Sequence, residues 1–173
     1  MRILLSFFLI LFINSCSEMQ PEDYKNTKPK IKIEEYFLGK VKAWGIFQGR
    51  SGIVKRQFTA EMNGSFDGEN LILDEDFSWN DGEKQHRRWT IKKIDENRYE
   101  GTASDVVGIA KGVAYGSAFK FEYNLLIPFK DKKIKVRFDD WIYKQDEKIA
   151  INRAMVSKFG FKVGELTVFF VKD

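Results

Sequence analysis

The sequence has one cysteine and one histidine among its 173 residues, and both scarcities restrict its chemistry. A single cysteine excludes a disulfide bond within the chain and argues against a cysteine-ligated metal site. A single histidine, His86, excludes zinc sites built from several histidines and argues against Ser-His-Asp catalysis. We therefore expect neither a metal nor another cofactor.

The sequence also lacks a strong excess of either charge. It has 29 lysines and arginines against 25 aspartates and glutamates, which gives a net charge of +4. This excess is too small and too dispersed to indicate nucleic-acid binding. The basic cluster Lys84–Trp89 resembles a phosphate-binding patch, but it also fits a solvated strand face with one inward arginine. We predict no nucleic-acid partner.

The N-terminal hydrophobic run is too short to cross a bilayer as a helix. It covers residues 3–13, follows Arg2, and has the length of a signal-peptide core. The next residues, Ile13-Asn14-Ser15-Cys16, resemble a bacterial lipobox. That resemblance implies cleavage before Cys16, a diacylglyceryl group on its thiol and an acyl chain such as palmitate on its new amino terminus. More than one acyl chain makes membrane attachment stable.

The lipobox resemblance also implies a location and a division of the chain. Serine, not aspartate, follows the cysteine, which by the bacterial sorting pattern implies the outer membrane, facing the periplasm. Residues 1–15 are then a lipoprotein signal peptide. The polar residues 16–32, with Pro21 and Pro29, are predicted to be a flexible tether. Residues 33–173 are predicted to be a β-barrel domain.

No window of the predicted domain has a convincing helical period, apart from a short helical turn expected near Ile33–Leu38. Instead, strand-like segments follow one another, separated by turn sequences such as Asn63-Gly64 and Asp67-Gly68. Evenly spaced antiparallel strands are typical of a sandwich or a barrel. We predict an all-β fold, an antiparallel closed or nearly closed barrel of about 8–10 strands like that of lipocalins and calycins, because closure covers the strand edges.

Period-two alternation predicts an interior that mixes aromatic and charged side chains. The aromatic residues predicted to line a cavity are Trp89, Phe119, Phe121, Tyr123 and Phe138. The charged residues predicted on the same inward faces are Glu75, Arg87, Asp140 and Arg153. Charges on apolar faces require a partner or water. These four residues are either an ion-pair network that fixes strand register, or a ligand-binding polar cluster in an apolar cavity. Paired carboxylates for acid-base catalysis are the third interpretation.

The hairpin of residues 133–158 is the clearest example of this pattern. One strand places Asp140 on its apolar face, and the other places Arg153 on a face with Ile149, Ile151 and Met155. A four-residue turn would set Asp140 opposite Arg153, whereas a three-residue turn would set it opposite Asn152. The pairing therefore depends on the register of the two strands.

The succession of motifs in the domain resembles a family of bacterial envelope lipoproteins known only as a domain of unknown function. The motifs that carry the resemblance are Ala43–Phe47, Leu73–Phe77, Arg88-Trp89, Asp105–Ala110, Phe138–Trp141, Asn152–Ala154 and Ser157–Gly160. The resemblance implies a lipid-anchored envelope protein and a barrel similar to that of lipocalins. It implies no activity, so it assigns no catalytic residue.

Three functions fit these patterns. The first is a lipid-anchored periplasmic barrel that binds a small lipophilic or amphipathic ligand. The second is a structural or accessory protein with a solid barrel, whose outer face docks a protein partner through Lys120, Glu122, Lys133, Lys135 and Arg137. The third is an enzyme such as a hydrolase that uses Glu75 or Asp140. We prefer the first.

Overall fold

The computed structural model describes residues 18–173, which form ten strands and two short helical segments. None of the helices in this part of the chain is long and apolar enough to cross a membrane. The elements are a 3₁₀ turn (Pro21–Tyr24), α1 (Ile33–Tyr36), β1 (Gly39–Gly49), β2 (Val54–Phe66), β3 (Asn70–Trp79), β4 (Lys84–Lys93), β5 (Arg98–Thr102), β6 (Val106–Tyr115), β7 (Ala118–Phe129), β8 (Lys132–Lys144), β9 (Ile149–Lys158) and β10 (Phe161–Lys172).

The strands form a closed antiparallel barrel. Each strand pairs with the next one along the chain, and β10 pairs with β1 to close the ring. The closing seam runs from Val41 opposite Lys172 to Gly49 opposite Gly164. Closure leaves no unpaired strand edge, which is the physical advantage expected for so many strands. The all-β barrel predicted from the sequence is confirmed, with a strand number at the upper end of the expected range.

The two ends of the barrel differ. The turns after β2, β4, β6 and β8 lie at one end, which α1 fills, and we call it the closed end. Ile33 and Phe37 point into the barrel there and are 1% and 4% exposed. Glu34 binds Lys93 at 2.5 Å and accepts a hydrogen bond of 2.9 Å from the Tyr99 hydroxyl. The other end carries the remaining turns, and we call it the open end.

A glycine on β2 lets the end of α1 approach the barrel wall. A Cβ atom built on Gly64 would lie 1.8 Å from the carbonyl oxygen of Phe37, far inside van der Waals contact. Only glycine fits this close backbone approach. Phe37 can therefore pack its ring against that of Phe170, at 5.4 Å between centroids.

Residues 18–32, which we call the N-terminal strap, lie against the outer wall. Pro21 is buried, and the ring of Tyr24 packs 6.0 Å from Trp141 and 5.7 Å from Tyr143. Further on, the Ile31 amide donates a 2.7 Å hydrogen bond to the carbonyl of Gly116 at the closed end. The described part of the predicted tether is thus packed on the barrel instead of free of it, because it buries apolar side chains of its own.

Candidate functional site

The barrel encloses a cavity of about 500 Å³. Ile33 and Phe37 form its floor at the closed end. At the other end its lining includes Glu83 and Phe129, which are exposed, so the cavity reaches solvent there. Sites for small molecules are typically clefts of about 300–1,000 Å³ with mostly apolar walls. The barrel is therefore hollow, with room for a ligand of modest size.

Aromatic side chains form much of the cavity wall. The structure places all five residues predicted for this role, Trp89, Phe119, Phe121, Tyr123 and Phe138, in the lining. They alternate with outward residues on β4, β7 and β8, as period-two patterning requires. The rings contact one another, with 5.2 Å between the centroids of Trp89 and Phe121 and 5.1 Å between the stacked rings of Tyr123 and Phe138. The wall is thus preorganised as a continuous apolar surface.

A buried arginine and two carboxylates cross one side of this wall. The side chain of Arg87 is 12% exposed and binds Asp105 through two nitrogens, with Nε–Oδ2 and Nη2–Oδ2 distances of 3.0 and 2.9 Å. Its Nη1 atom lies 3.6 Å from Oε2 of Glu75, the residue opposite it on β3. The arginine therefore directs its hydrogen bonds to Asp105 and gives Glu75 only a longer electrostatic contact.

A second polar group lies on β8 and β9. Oδ2 of Asp140 accepts a 3.1 Å hydrogen bond from the Tyr123 hydroxyl, and Oδ1 accepts one from the Asn152 amide. The same amide also donates to the carbonyl of Trp141 at 3.1 Å. Asp140 is thus held by neutral donors and has no direct ion-pair partner among the described residues.

Burial shifts the acidity of both carboxyl groups in this cluster. Burial raises the pKa of Glu75 to about 7, and the nearby Arg87 charge opposes this only in part. Burial likewise raises the pKa of Asp140 to about 6, against the hydrogen bonds from Asn152 and Tyr123. Burial and the Asp140 charge raise the pKa of Tyr123 well above its usual value. Near neutral pH the cavity therefore holds carboxyl groups that can both accept and donate hydrogen bonds.

Three cavity residues carry buried polar atoms without a hydrogen-bond partner in the described part of the chain. They are Oε2 of Glu75, Nε1 of Trp79 and Nε of Arg56. Buried polar groups in folded proteins are nearly always paired with protein or water. Two of these atoms are N–H donors and the third is a carboxyl oxygen, so the cavity offers unused hydrogen-bonding capacity of both kinds.

Arg153 is not part of this cluster, and the prediction that it points inward is wrong. Its side chain is 66% exposed on the outer wall, where Nη2 lies 3.6 Å from Oε2 of Glu165. Lys144 pairs with Ala150, so five residues separate the paired ends of β8 and β9, and Asp140 lies opposite Ala154. A one-residue change of register reverses the face of every side chain, which turns Arg153 outward and Asn152 inward.

The basic cluster Lys84–Trp89 is divided between the two faces of β4. Arg87 and Trp89 point inward, whereas His86 and Arg88 point outward toward acidic neighbours on β3. Nδ1 of His86 lies 2.8 Å from Asp76, and Nε of Arg88 lies 2.7 Å from Asp74. The solvated strand face with one inward arginine describes this segment better than a phosphate-binding patch.

Asn152, which lines the cavity, and Asp105, which binds Arg87, are the members of the polar cluster that the sequence patterns missed. Asp105 stands in the turn between β5 and β6, where no alternation predicts a direction. The alternation that predicts an inward Arg153 predicts an outward Asn152. An aspartate that follows an inward arginine by 18 residues is too weak a signal to predict the pair.

Two further predictions concern lipidation and metal binding. Cys16, the predicted lipidation site, lies outside the described residues, as does the predicted signal peptide. Among residues 18–173 no group of three or more histidine, cysteine or acidic side chains is arranged to hold a metal ion.

Comparison with known proteins identifies the family. A family model described as "Protein of unknown function (DUF3833)" matches residues 10–172, so the chain belongs to that family. This confirms the resemblance to a family of unknown function, while its lipoprotein character stays a prediction. None of the curated proteins matches the sequence.

Two solved structures share the fold. An S-type phycobiliprotein lyase from Guillardia theta is 11% identical, with a TM-score of 0.60, over 90% of this chain and 98% of that chain. A protein of unknown function from the DUF3598 family of Nostoc punctiforme is 10% identical, with a TM-score of 0.54. The match covers 85% of this chain and 51% of the Nostoc protein, so this chain spans about half the length of that protein. At these identities the likeness concerns the barrel alone.

Proposed function

We propose that this member of the DUF3833 family is a lipid-anchored protein of the outer membrane, facing the periplasm, whose barrel binds a small amphipathic molecule. The observation that carries the ligand-binding part is the cavity of about 500 Å³, open at one end and lined by aromatic rings around a polar cluster. An apolar cavity with a few convergent polar groups is the usual composition of a small-molecule site. A solid barrel, on which the docking-protein alternative rested, does not fit this interior.

The chemistry of the cavity indicates what kind of molecule fits. The aromatic wall suits an apolar body, such as a chain or a ring system. The polar cluster contains three carboxyl groups, Glu75, Asp105 and Asp140, against one arginine that is already bound to Asp105. A ligand whose polar group donates hydrogen bonds or carries a positive charge would satisfy Oε2 of Glu75.

The anchoring part of the proposal rests on the residues around Cys16. The hydrophobic run of residues 3–13, the small residue before the cysteine and the serine after it are the motifs that support it. Mass spectrometry of the protein extracted from its native membrane tests this directly. We expect a chain that begins at Cys16 and carries acyl groups, whereas an unmodified Cys16 would contradict the anchor.

Binding can be tested with the neutral fluorescent probe N-phenyl-1-naphthylamine. We expect saturable binding at one site, with enhanced probe fluorescence, and a co-purified small molecule in native mass spectra. Gln85 lines the cavity and has no side-chain hydrogen bond in the described part of the chain, so Gln85→Trp should narrow the cavity without unfolding the barrel. This variant should bind the probe at least tenfold more weakly.

The matched control is His86→Trp, which adds the same ring to the same strand on the outer face. It should bind the probe like the unaltered protein. Equal binding by both variants would mean that the probe does not enter the barrel. Absence of both probe binding and a co-purified molecule would contradict the proposal.

A second candidate function is acid-base catalysis, and the raised pKa of Glu75 favours it. A carboxyl group whose pKa is about 7 can donate and accept protons near neutral pH. Glu75→Gln separates the two functions, because glutamine keeps the shape and hydrogen bonds but cannot transfer a proton. If the co-purified molecule is converted to product only by the unaltered protein, the site is catalytic.

A further inference from the structure

The turns of two neighbouring hairpins form one side of the open end, and we call them the mouth rim. They are residues 129–133 between β7 and β8, with the sequence FKDKK, and residues 158–162 between β9 and β10, with the sequence KFGFK. The two hairpins are adjacent because β8 pairs with β9. All of these residues except Lys158 are exposed.

The mouth rim presents three phenylalanines to solvent. Phe129, Phe159 and Phe161 are 50%, 88% and 72% exposed. Ile53, in the turn of the hairpin beside β10, is 60% exposed and extends the same edge. Single exposed apolar residues are common, but several large ones on adjacent turns mark an interaction surface.

Lysines surround these rings. The two segments contain five lysines and one aspartate, a net charge of +4. Nζ of Lys158 lies 5.3 Å from the ring centre of Phe159, and Nζ of Lys130 lies 5.9 Å from that of Phe129. Lys162 binds Glu165 at 2.6 Å, whereas the other four lysines have no acidic partner in the described part of the chain. The surface is therefore apolar at its tips and cationic around them.

The backbone at the tips of both turns adopts a strained conformation. Lys130 and Phe159 have φ angles of 52° and 51°, and within residues 18–173 they are the only residues other than glycine with positive φ. This region costs an ordinary residue of order 1–3 kcal/mol, and such strain clusters at functional surfaces. A glycine at either position would relieve it, yet the chain has a lysine and a phenylalanine there.

We propose that the mouth rim docks the barrel onto the surface of an anionic phospholipid bilayer. Aromatic and aliphatic side chains enter the boundary between headgroups and acyl chains, while lysines bind the negative surface. The charge of +4 on the two segments complements such a surface. A purely apolar protein interface would not require four unpaired lysines around its centre.

The cavity continues directly from this surface. Phe129 belongs both to the mouth rim and to the cavity lining, together with Ile127 and Pro128 behind it. A docked barrel would therefore open toward the bilayer, and an amphipathic molecule could pass between the bilayer and the cavity without crossing bulk water.

The course of the N-terminal strap agrees with this orientation, a point that rests on the proposed anchor at Cys16. Traced from Ile31 at the closed end, the strap runs along the wall to Glu18, which lines a surface pocket together with Met155 and Glu165. Met155 and Glu165 are each three residues in sequence from the mouth rim. Glu18, the first residue that the structure describes, is the point at which the proposed anchor would join the described chain.

Hydrogen–deuterium exchange of the full chain bound to lipid vesicles tests the proposal. Vesicles of phosphatidylcholine with 30% phosphatidylglycerol, taken as about one anionic lipid in three, are compared with vesicles of phosphatidylcholine alone. The acyl chains of the proposed anchor would hold the protein on both kinds of vesicle, so a difference between them reports on the barrel. We expect exchange in residues 129–133 and 158–162 to slow at least tenfold on the anionic vesicles and to stay unchanged at the closed-end turns.

Two variants and a control identify the groups responsible. Phe159→Ser combined with Phe161→Ser should abolish the slowing, and Lys130→Gln combined with Lys132→Gln and Lys133→Gln should reduce it to the level of neutral vesicles. Trp44→Ser combined with Phe169→Ser removes two rings that are 47% and 42% exposed on the barrel wall, and it should change nothing. Urea unfolding verifies that every variant is folded.

Three outcomes would overturn the proposal. Unchanged exchange at the mouth rim on anionic vesicles would mean that the surface contacts something other than a bilayer. Slowing that rises with protein concentration in the absence of vesicles would mean that it contacts a second copy of the chain. Equal slowing at both ends would mean non-specific adsorption.

Discussion

The closed and open ends of the barrel are built by opposite means. At the closed end three hairpin turns each contain an aspartate that accepts hydrogen bonds from two backbone amides. These residues are Asp67, Asp95 and Asp146. The Asp146 hydrogen bonds from the amides of Lys148 and Ile149 are both 2.7 Å long. At the open end the two turns of the mouth rim have positive φ angles at Lys130 and Phe159 and exposed aromatic rings.

This difference separates what holds the fold from what is available for binding. Self-satisfied turns and a buried helix hold the closed end together. Its exposed apolar residues Leu38, Phe66 and Ile94 are 45%, 50% and 43% exposed, less than the 88% and 72% of Phe159 and Phe161 at the open end. The open end keeps apolar rings, cations and a cavity in contact with solvent, at the cost of backbone strain. We therefore expect substitutions at the closed end to change stability and equivalent ones at the open end to change binding.

The largest expected effect is that of Phe37→Ala at the closed end. Phe37 is 4% exposed and packs against Phe170 inside the barrel. Removing a buried phenylalanine ring typically lowers the free energy of unfolding by about 3–5 kcal/mol. Phe159→Ala, at the open end, should change it by less than about 0.5 kcal/mol, because that ring is 88% exposed. Urea unfolding followed by tryptophan fluorescence measures both, and equal losses would break the comparison.

The next effect concerns Glu75, which is buried on the cavity wall. Its pKa rises from 4.5 to about 7 on folding, so between these values the folded state binds more protons than the unfolded state. The contribution of Glu75 to stability is therefore fully present below pH 4.5 and is lost as the pH rises through 7. The shift corresponds to about 3 kcal/mol.

Glu75→Gln should remove most of this loss between pH 5 and pH 8, and Glu61→Gln, on the outer face of β2, is the control. Asp140, whose pKa is also raised, should leave a smaller residual dependence of the same sign. Urea midpoints measured across this pH range test the prediction. A Glu75→Gln protein with the unaltered pH dependence would show that Glu75 is hydrated in the folded protein.

A smaller effect is expected for Gly64→Ala. The added methyl group would overlap the carbonyl of Phe37, and backbone adjustment of this kind typically costs about 1–3 kcal/mol. Gly49→Ala is the matched change at the open end, where the methyl group would meet only the flexible side chain of Lys55 at 3.3 Å. Thermal unfolding should show a lower midpoint for Gly64→Ala and little change for Gly49→Ala. The reverse order would mean that α1 does not hold the closed end.

The smallest effect should be local. Asp146→Ala removes the acceptor of two amides in the turn between β8 and β9, so hydrogen exchange of Lys148 and Ile149 should accelerate. Global stability should fall less than for Gly64→Ala. Asp131→Ala, in the mouth rim, should leave exchange in its own turn unchanged. Similar acceleration in both turns would show that the two ends are stabilised alike.

The fold and the aromatic wall could be predicted because they follow from local patterns. On β7 every large aromatic or aliphatic residue except Leu126 lies on one face, so the pattern predicts that Phe119, Phe121 and Tyr123 point inward. The turns between strands carry recognisable glycine, asparagine and aspartate residues. Such signals need no knowledge of distant parts of the chain.

The polar cluster could be predicted only in part, because β9 has apolar residues on both faces. Ile149, Ile151 and Met155 point outward, whereas Ala150, Ala154 and Val156 are buried inside. Ile151 lies between Phe169 and Tyr143 on a wall that the N-terminal strap partly covers. An outer apolar face of this kind depends on tertiary packing, so the larger side chains led to the wrong face and to Arg153 in place of Asn152.

The N-terminal strap has a mechanical consequence for any barrel held by its leading residues. Beyond the packing of Pro21 and Tyr24, a pulling force applied at Glu18 would load Thr27, whose hydroxyl oxygen accepts a 2.8 Å hydrogen bond from the Ser117 amide. It would then meet the hydrogen bond between Ile31 and Gly116 before reaching α1. These two hydrogen bonds to the β6–β7 turn would break before the force reached α1. The floor of the cavity would therefore stay in place under tension.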